Sequence, residues 1–271
     1  MCLSFNLLTQ QWTKLPDLPS KRFGHRSLVV NSCNFLVGGF RNNTIDEFDN
    51  STKSFKTVAT MKEPRYWFGS CLYKKISVLV AAGLGEHDIE TNNCFLFNTN
   101  TKTFNEFPSL SVKRSEHVLV NFNGVVYSIG GTTEKREVLD SIETYDEGND
   151  QWKMCDFKLN IARAYHQAVV HKNHIYIVGG WCRSGKCTNT IERVDVINGK
   201  VDLLRMKLRL ARSGFTSCKF KSSLYIFGGY TGYGNSTNSV EILNLSTMKV
   251  QEGVKVPISD RSFSACVSEN C

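Results

Sequence analysis

Apolar and polar positions alternate over short distances along the whole chain. Runs rich in Val, Ile, Tyr and Phe are broken by clusters of Gly, Asn, Ser and Thr, and no window carries a sustained helical period. The pattern predicts short strands joined by tight turns, and the strands recur in register. The fullest copy reads Val118-Leu119-Val120, then Val125 to Ile129 closed by Gly130-Gly131, then Ile142-Glu143-Thr144-Tyr145-Asp146, then Trp152. The next copy repeats it with Val169-Val170, Ile175 to Val178 closed by Gly179-Gly180, and Ile191-Glu192.

Three marks keep the same beat. Arg22, Arg65, Arg114, Arg163, Arg212 and Arg261 are separated by 43, 49, 49, 49 and 49 residues. Asn6, Asp49, Asn98, Asp146, Asp195 and Asn244 are each followed six positions later by an apolar residue: Trp12, Phe55, Phe104, Trp152, Val201 and Val250. Gly38-Gly39, Gly130-Gly131, Gly179-Gly180 and Gly228-Gly229 follow their arginines at a fixed distance, and the second copy has Ala81-Ala82-Gly83 instead. A period of this length means one supersecondary unit stacked many times. The paired glycines supply positive φ or close backbone approach, so Ala81-Ala82 implies that the second copy needs less of either. Each Asx reads as a turn whose side chain bonds its own backbone, and the apolar residue after it packs between neighbouring units. Val201 and Val250 fill that place less completely, which predicts weaker packing there.

These residues resemble the kelch motif, the four-stranded blade of a β-propeller. The resemblance covers essentially the whole chain. It implies an all-β, six-bladed kelch propeller as a single domain over 1–271, with blades at 21–63, 64–112, 113–161, 162–210 and 211–259. Residues 1–20 then form the outer strands of a closing sixth blade and 260–271 its inner strand, so that one strand of that blade is missing. Its Gly-Gly would fall near position 277, beyond Cys271. The expectation is a truncated chain or one domain of a longer protein, with a naturally three-stranded blade as the alternative.

Charge and cysteines narrow the picture only slightly. The formal charge is +8, but no Lys/Arg run reaches the density of a nucleic-acid stripe. A solvated basic surface, or a basic rim for an acidic peptide, accounts for it. The ten cysteines are irregularly placed, several at strand positions such as Cys71, Cys218 and Cys266, where a thiol acts as a small hydrophobe. No charged leader precedes an apolar core at the N-terminus, and nothing approaches about 20 consecutive apolar residues. No membrane role, a reducing cytoplasm and unused sequons at Asn42, Asn50, Asn235 and Asn244 are the expectation.

In kelch propellers the loops between fourth and first strands and between second and third strands crowd one face. Carried onto this chain, the resemblance nominates Arg22, Tyr66, Trp67, Arg114, Arg136, Arg163, Tyr165, Trp181, Arg183, Arg212, Tyr230, Tyr233 and Arg261 as partner-binding candidates. Aromatic and Arg side chains are what binding hot spots favour. An architectural role competes for the repeated arginines, and packing within the blade competes for the aromatics. Replacing Tyr66 and Trp67 by Ala should then weaken binding without lowering the Tm. His25, His117 and His166 each lie three positions after an arginine, and one per blade spreads them around a ring, so they read as hydrogen-bonded strand histidines and not as metal ligands. Gly180 to Cys187 nearly spells a phosphate loop, but Cys187 replaces the Ser or Thr and no helix follows. Cys182 and Cys187 lack a second pair for zinc.

Resemblance to the kelch domains of BTB–kelch proteins implies a non-catalytic module that captures a protein or peptide substrate. BTB and BACK domains in that family dock a cullin-RING ubiquitin ligase, and this sequence contains neither region. An actin-binding cytoskeletal kelch protein is the alternative. A kelch-fold enzyme is the remote one, since no titratable cluster at shared depth supports catalysis. No cofactor is expected.

Overall fold

The computed structural model describes residues 2–232, 234–259 and 264–267. The chain opens with an antiparallel hairpin, β1 (Cys2–Asn6) and β2 (Gln11–Leu15). Five four-stranded antiparallel sheets follow in sequence, each a meander of neighbouring strands. The first is β3 (Arg26–Val30), β4 (Cys33–Val37), β5 (Thr44–Asp49) and β6 (Ser54–Thr60). The second is β7 (Gly69–Tyr73), β8 (Ser77–Leu84), β9 (Glu90–Asn98) and β10 (Phe104–Phe107), with one turn of 3-10 helix at Glu86–Asp88. The third is β11 (Val118–Phe122), β12 (Val125–Ile129), β13 (Ile142–Asp146) and β14 (Gln151–Met154). In the fourth, a short ladder of β15 (Arg163–Ala164) and β18 (Trp181–Cys182) stands over β16 (Gln167–His171), β17 (His174–Val178), β19 (Thr190–Asp195) and β20 (Lys200–Lys207). In the fifth, β23 (Tyr230–Gly232) and β24 (Asn235–Ser236) rise above β21 (Thr216–Phe220), β22 (Ser223–Phe227), β25 (Val240–Asn244) and β26 (Lys249–Gly253). The result is an all-β propeller with five complete blades.

The core lies between blades. Val37, Ile45, Phe68, Val80 and Phe97 join the first to the second, Leu79, Leu119, Tyr145 and Trp152 the second to the third, and Ile129, Ile142, Ile175 and Val194 the third to the fourth. Trp152 performs the inter-blade role its spacing predicted. It is 5% exposed, packs against Tyr145 and Phe107, and donates its indole N–H to the Pro108 carbonyl at 2.8 Å. Val201 and Val250 occupy the equivalent places, partly buried in the next two interfaces. All six Asx side chains close their turns by accepting backbone N–H bonds from two and three residues ahead.

The second blade corrects the reading of Ala81-Ala82. The left-handed pair is present there too, at Ala82 (φ 56°) and Gly83 (φ 89°), where the third blade has Gly130 (φ 59°) and Gly131 (φ 101°). The cause is in the turn before it. Three residues, Lys74 to Ile76, link β7 to β8, whereas Asn123-Gly124 alone link β11 to β12. The extra residue slides β8 by one position, so Ala82 takes the first glycine's place. A Cβ on Gly83 would come within 2.8 Å of the Tyr66 carbonyl oxygen, so the second glycine could not follow suit.

The N-terminal hairpin lies against the fifth blade. Leu3 and Trp12 pack with Phe227, Val240 and Val256, and the Trp12 and Phe227 rings sit 5.9 Å apart, edge to face. Ala265 joins that cluster, and the Cys266 thiol reaches Asn34 Oδ1 of the first blade at 3.4 Å. Arg261 and Tyr233 lie outside the described residues.

Candidate protein-binding face

The five described repeat arginines are held inside the blades. The guanidinium of Arg114 pairs with Glu143 at 2.7 Å, Arg163 with Glu192 at 2.5 Å, Arg212 with Glu241 at 2.7 Å and Arg22 with Asp46 at 2.5 Å. All four arginine side chains are fully buried. Each also donates to the carbonyl of the first glycine in its own blade. Glu143, Glu192 and Glu241 in turn accept backbone N–H bonds from the loop entering their blade. A charge pair so enclosed fixes the loop and offers a partner nothing, which corrects the binding role expected of Arg22, Arg114, Arg163 and Arg212. Phe95 takes the acid's place in the second blade, and Arg65 pairs instead with Glu63 at 2.5 Å. The spacing from arginine to Glu143, Glu192 and Glu241 is constant, so this pairing was open to sequence reading and was missed.

A second feature went unread. The residue two after each arginine is left-handed in every described blade: Gly24 (φ 65°), Trp67 (50°), Glu116 (60°), Tyr165 (52°) and Gly214 (58°). Their backbones link directly. Trp67 N–H donates to Gly24 O at 2.8 Å, Glu116 to Trp67 at 2.7 Å, Tyr165 to Glu116 at 2.9 Å and Gly214 to Tyr165 at 2.9 Å. The links form a collar around the mouth of the central channel. Glycine at two of these positions was the available signal.

The collar carries an aromatic run. Phe23 stacks on Phe40 at 4.7 Å, Phe40 meets Tyr66 at 5.2 Å, Tyr66 meets Trp67 at 5.1 Å, and Trp67 meets Tyr165 at 5.6 Å. Phe23 is 41% exposed, whereas Tyr66 is 3% exposed with its hydroxyl donating to Asp88. Tyr66 is thus part of the packing beneath the face, and its replacement would disturb the fold. Trp67 and Tyr165 are half-buried at the mouth. Further round, Trp181 and Tyr230 lie 6.0 Å apart, both half-buried. Arg136 and Arg183 are exposed on the rim, where Arg183 donates to the Val138 carbonyl at 3.1 Å and bridges the third and fourth blades. Arg41 and Phe23 complete this rim on the first blade.

Burial dominates the titrations at the mouth. It raises the Glu116 carboxyl to about 7, with hydrogen bonds from Tyr165 and Thr132 opposing the shift. It drives the His25 and His166 imidazoles down to about 3 and His117 well below its ordinary range. Neither ring nitrogen of His117 has a hydrogen-bond partner among the described residues, which departs from the hydrogen-bonded histidine expected. No cluster of three His, Cys, Asp or Glu side chains with metal-binding geometry occurs among the described residues.

The Kelch motif model matches residues 113–156, 162–203 and 211–249, within the third, fourth and fifth blades just described. The propeller carries kelch repeats and resembles the kelch domains of kelch-like proteins. This propeller is similar to Kelch-like protein 41a of Danio rerio, at 26% identity over 164 residues, covering 55% of this chain and 27% of the relative. It is 33% identical over 149 residues to Kelch-like protein 40 of Xenopus laevis, covering 53% of this chain and 24% of the relative. The propeller thus spans about a quarter of the length of these relatives by its aligned part. Among solved structures, the one titled "Structure of YjhT" superposes with a TM-score of 0.78 at 14% identity, covering 94% of this chain and 90% of that one. That likeness speaks for the fold. No helix among the described residues is long and apolar enough to cross a membrane.

Proposed function

We propose that this kelch propeller is a non-catalytic protein-recognition module that captures its partner on the collar face, as the substrate-binding part of a cytoplasmic cullin-RING ligase adaptor. The observation that carries the reading is the aromatic run from Phe23 to Tyr165, rimmed by the exposed Arg41, Arg136 and Arg183. Aromatic anchors inside an arginine rim suit a peptide with apolar and acidic side chains. The kelch-like relatives and the resemblance to BTB–kelch proteins favour an adaptor. In the same reading the hairpin β1–β2 and residues 264–267 make up a sixth blade between the fifth and the first.

The experiment is affinity capture with quantitative mass spectrometry, comparing wild type with Phe23→Ala, Arg136→Ala and Arg183→Ala. The expected outcome is loss of a specific set of captured proteins, with Tm within about 1 °C of wild type, since exposed substitutions of this kind rarely move stability. Captured proteins indifferent to all three substitutions would refute the face. Cosedimentation with actin filaments, abolished by the same substitutions, would replace the adaptor by the cytoskeletal reading.

A further inference from the structure

Arg26 lines the central channel and makes no ion pair with a carboxylate among the described residues. It stands on β3, four positions after Arg22, and its side chain crosses to the second and third blades. Nε donates to the Phe68 carbonyl at 2.9 Å and Nη2 to the His117 carbonyl at 3.3 Å. Those two bonds leave N–H groups of the guanidinium free for another acceptor. Burial alone acts on it, lowering its pKa to about 10, with no acid offsetting the cost. The five described repeat arginines, Arg22, Arg65, Arg114, Arg163 and Arg212, each pair with an acid.

The residue divides the channel into two cavities. The upper, about 30 Å³, lies under the collar and is rimmed by Trp67, Glu116 and Tyr165. The lower, about 160 Å³, is lined by Ser27, Ser70, Gln167, Thr216, Ser217 and Ser264 beside Arg26, with no carboxylate among its described lining. The hydroxyls of Ser27 and Ser264 are buried with no hydrogen-bond partner among the described residues. One water needs about 10–15 Å³, so the lower cavity has room for an ion with part of its hydration shell.

We propose that the lower cavity binds a small inorganic anion of the halide class, held by the free N–H groups of Arg26 and by serine and threonine hydroxyls. A charge partly withdrawn from water and without an ion-pair partner carries a desolvation cost, and an anion supplies the partner. The occupant is a small inorganic ion because the route beneath the collar, about 30 Å³, is narrow.

Two measurements test this on the whole chain. Crystals grown or soaked in sodium bromide should show an anomalous peak at hydrogen-bond distance from the Arg26 guanidinium. Thermal unfolding at constant ionic strength should give a saturable rise in Tm when chloride or bromide replaces gluconate, because a ligand that binds only the folded state stabilises it. That rise should vanish in Arg26→Met and persist in part in Arg26→Lys. An empty channel in bromide crystals, or an equal halide increment in Arg26→Met, would overturn the proposal. Arg26→Met removes a half-buried charge that has no ion-pair partner and is expected to fold; should it not, the bromide density on wild type decides alone.

Discussion

Single residues show most clearly where burial has been accepted at a chemical cost. Glu116 must occupy a left-handed backbone position at the channel mouth, where its carboxyl is raised from 4.5 to about 7, mainly by desolvation. Between those values the folded chain holds a proton that the unfolded chain has released. Stability therefore falls as pH rises across that window. Glu116→Gln is expected to remove this slope and to stabilise the protein at about pH 8 but not at about pH 4, read from urea melts at each pH. At this scale the sequence was a partial guide. The arginines were visible because they repeat. Their inward-facing pairing was legible as well, in the constant spacing to Glu143, Glu192 and Glu241, but it shows only when the acids are read together with the arginines. Tyr66 and Trp67 are sequence neighbours with similar side chains, yet one is buried beneath the face and the other stands at the mouth. Only the left-handed kink at Trp67 separates them.

The strand is the element, and the inter-blade aromatic is what joins one sheet to the next. Trp152 contributes a large buried surface together with a bond to Pro108 that no smaller residue could make. Trp152→Ala should cost about 3–5 kcal/mol, as for other large-to-small core changes, measured by chemical denaturation; a loss below about 1 kcal/mol would remove Trp152 from the core. The strands and their Asx turns were legible because each carries a local signature with its own mechanism. The one-residue slide of β8 was not. It arises from the length of the Lys74–Ile76 turn, and a two-residue and a three-residue turn leave the flanking apolar pattern almost alike.

At the scale of the molecule, the blades are neighbours in sequence and in space, so the ring depends on how its two ends meet. A two-stranded hairpin is marginal alone, and β1–β2 is held on the fifth blade chiefly through Trp12 and Leu3 against Phe227 and Val240. Trp12→Ala is expected to abolish hydrogen-exchange protection in β1–β2 while β16, β17 and β19 stay protected; uniform loss across all blades would mean that the hairpin is a keystone for the whole ring. The collar has a wider consequence. Its links run through main-chain atoms alone, and the five described positions carry side chains as different as Gly, Trp, Glu and Tyr. Frame and lettering are therefore separable. The propeller can exchange what it displays at the mouth, one blade at a time, for the modest strain of a left-handed residue, and a lineage of such rings can change its customers without renegotiating its architecture.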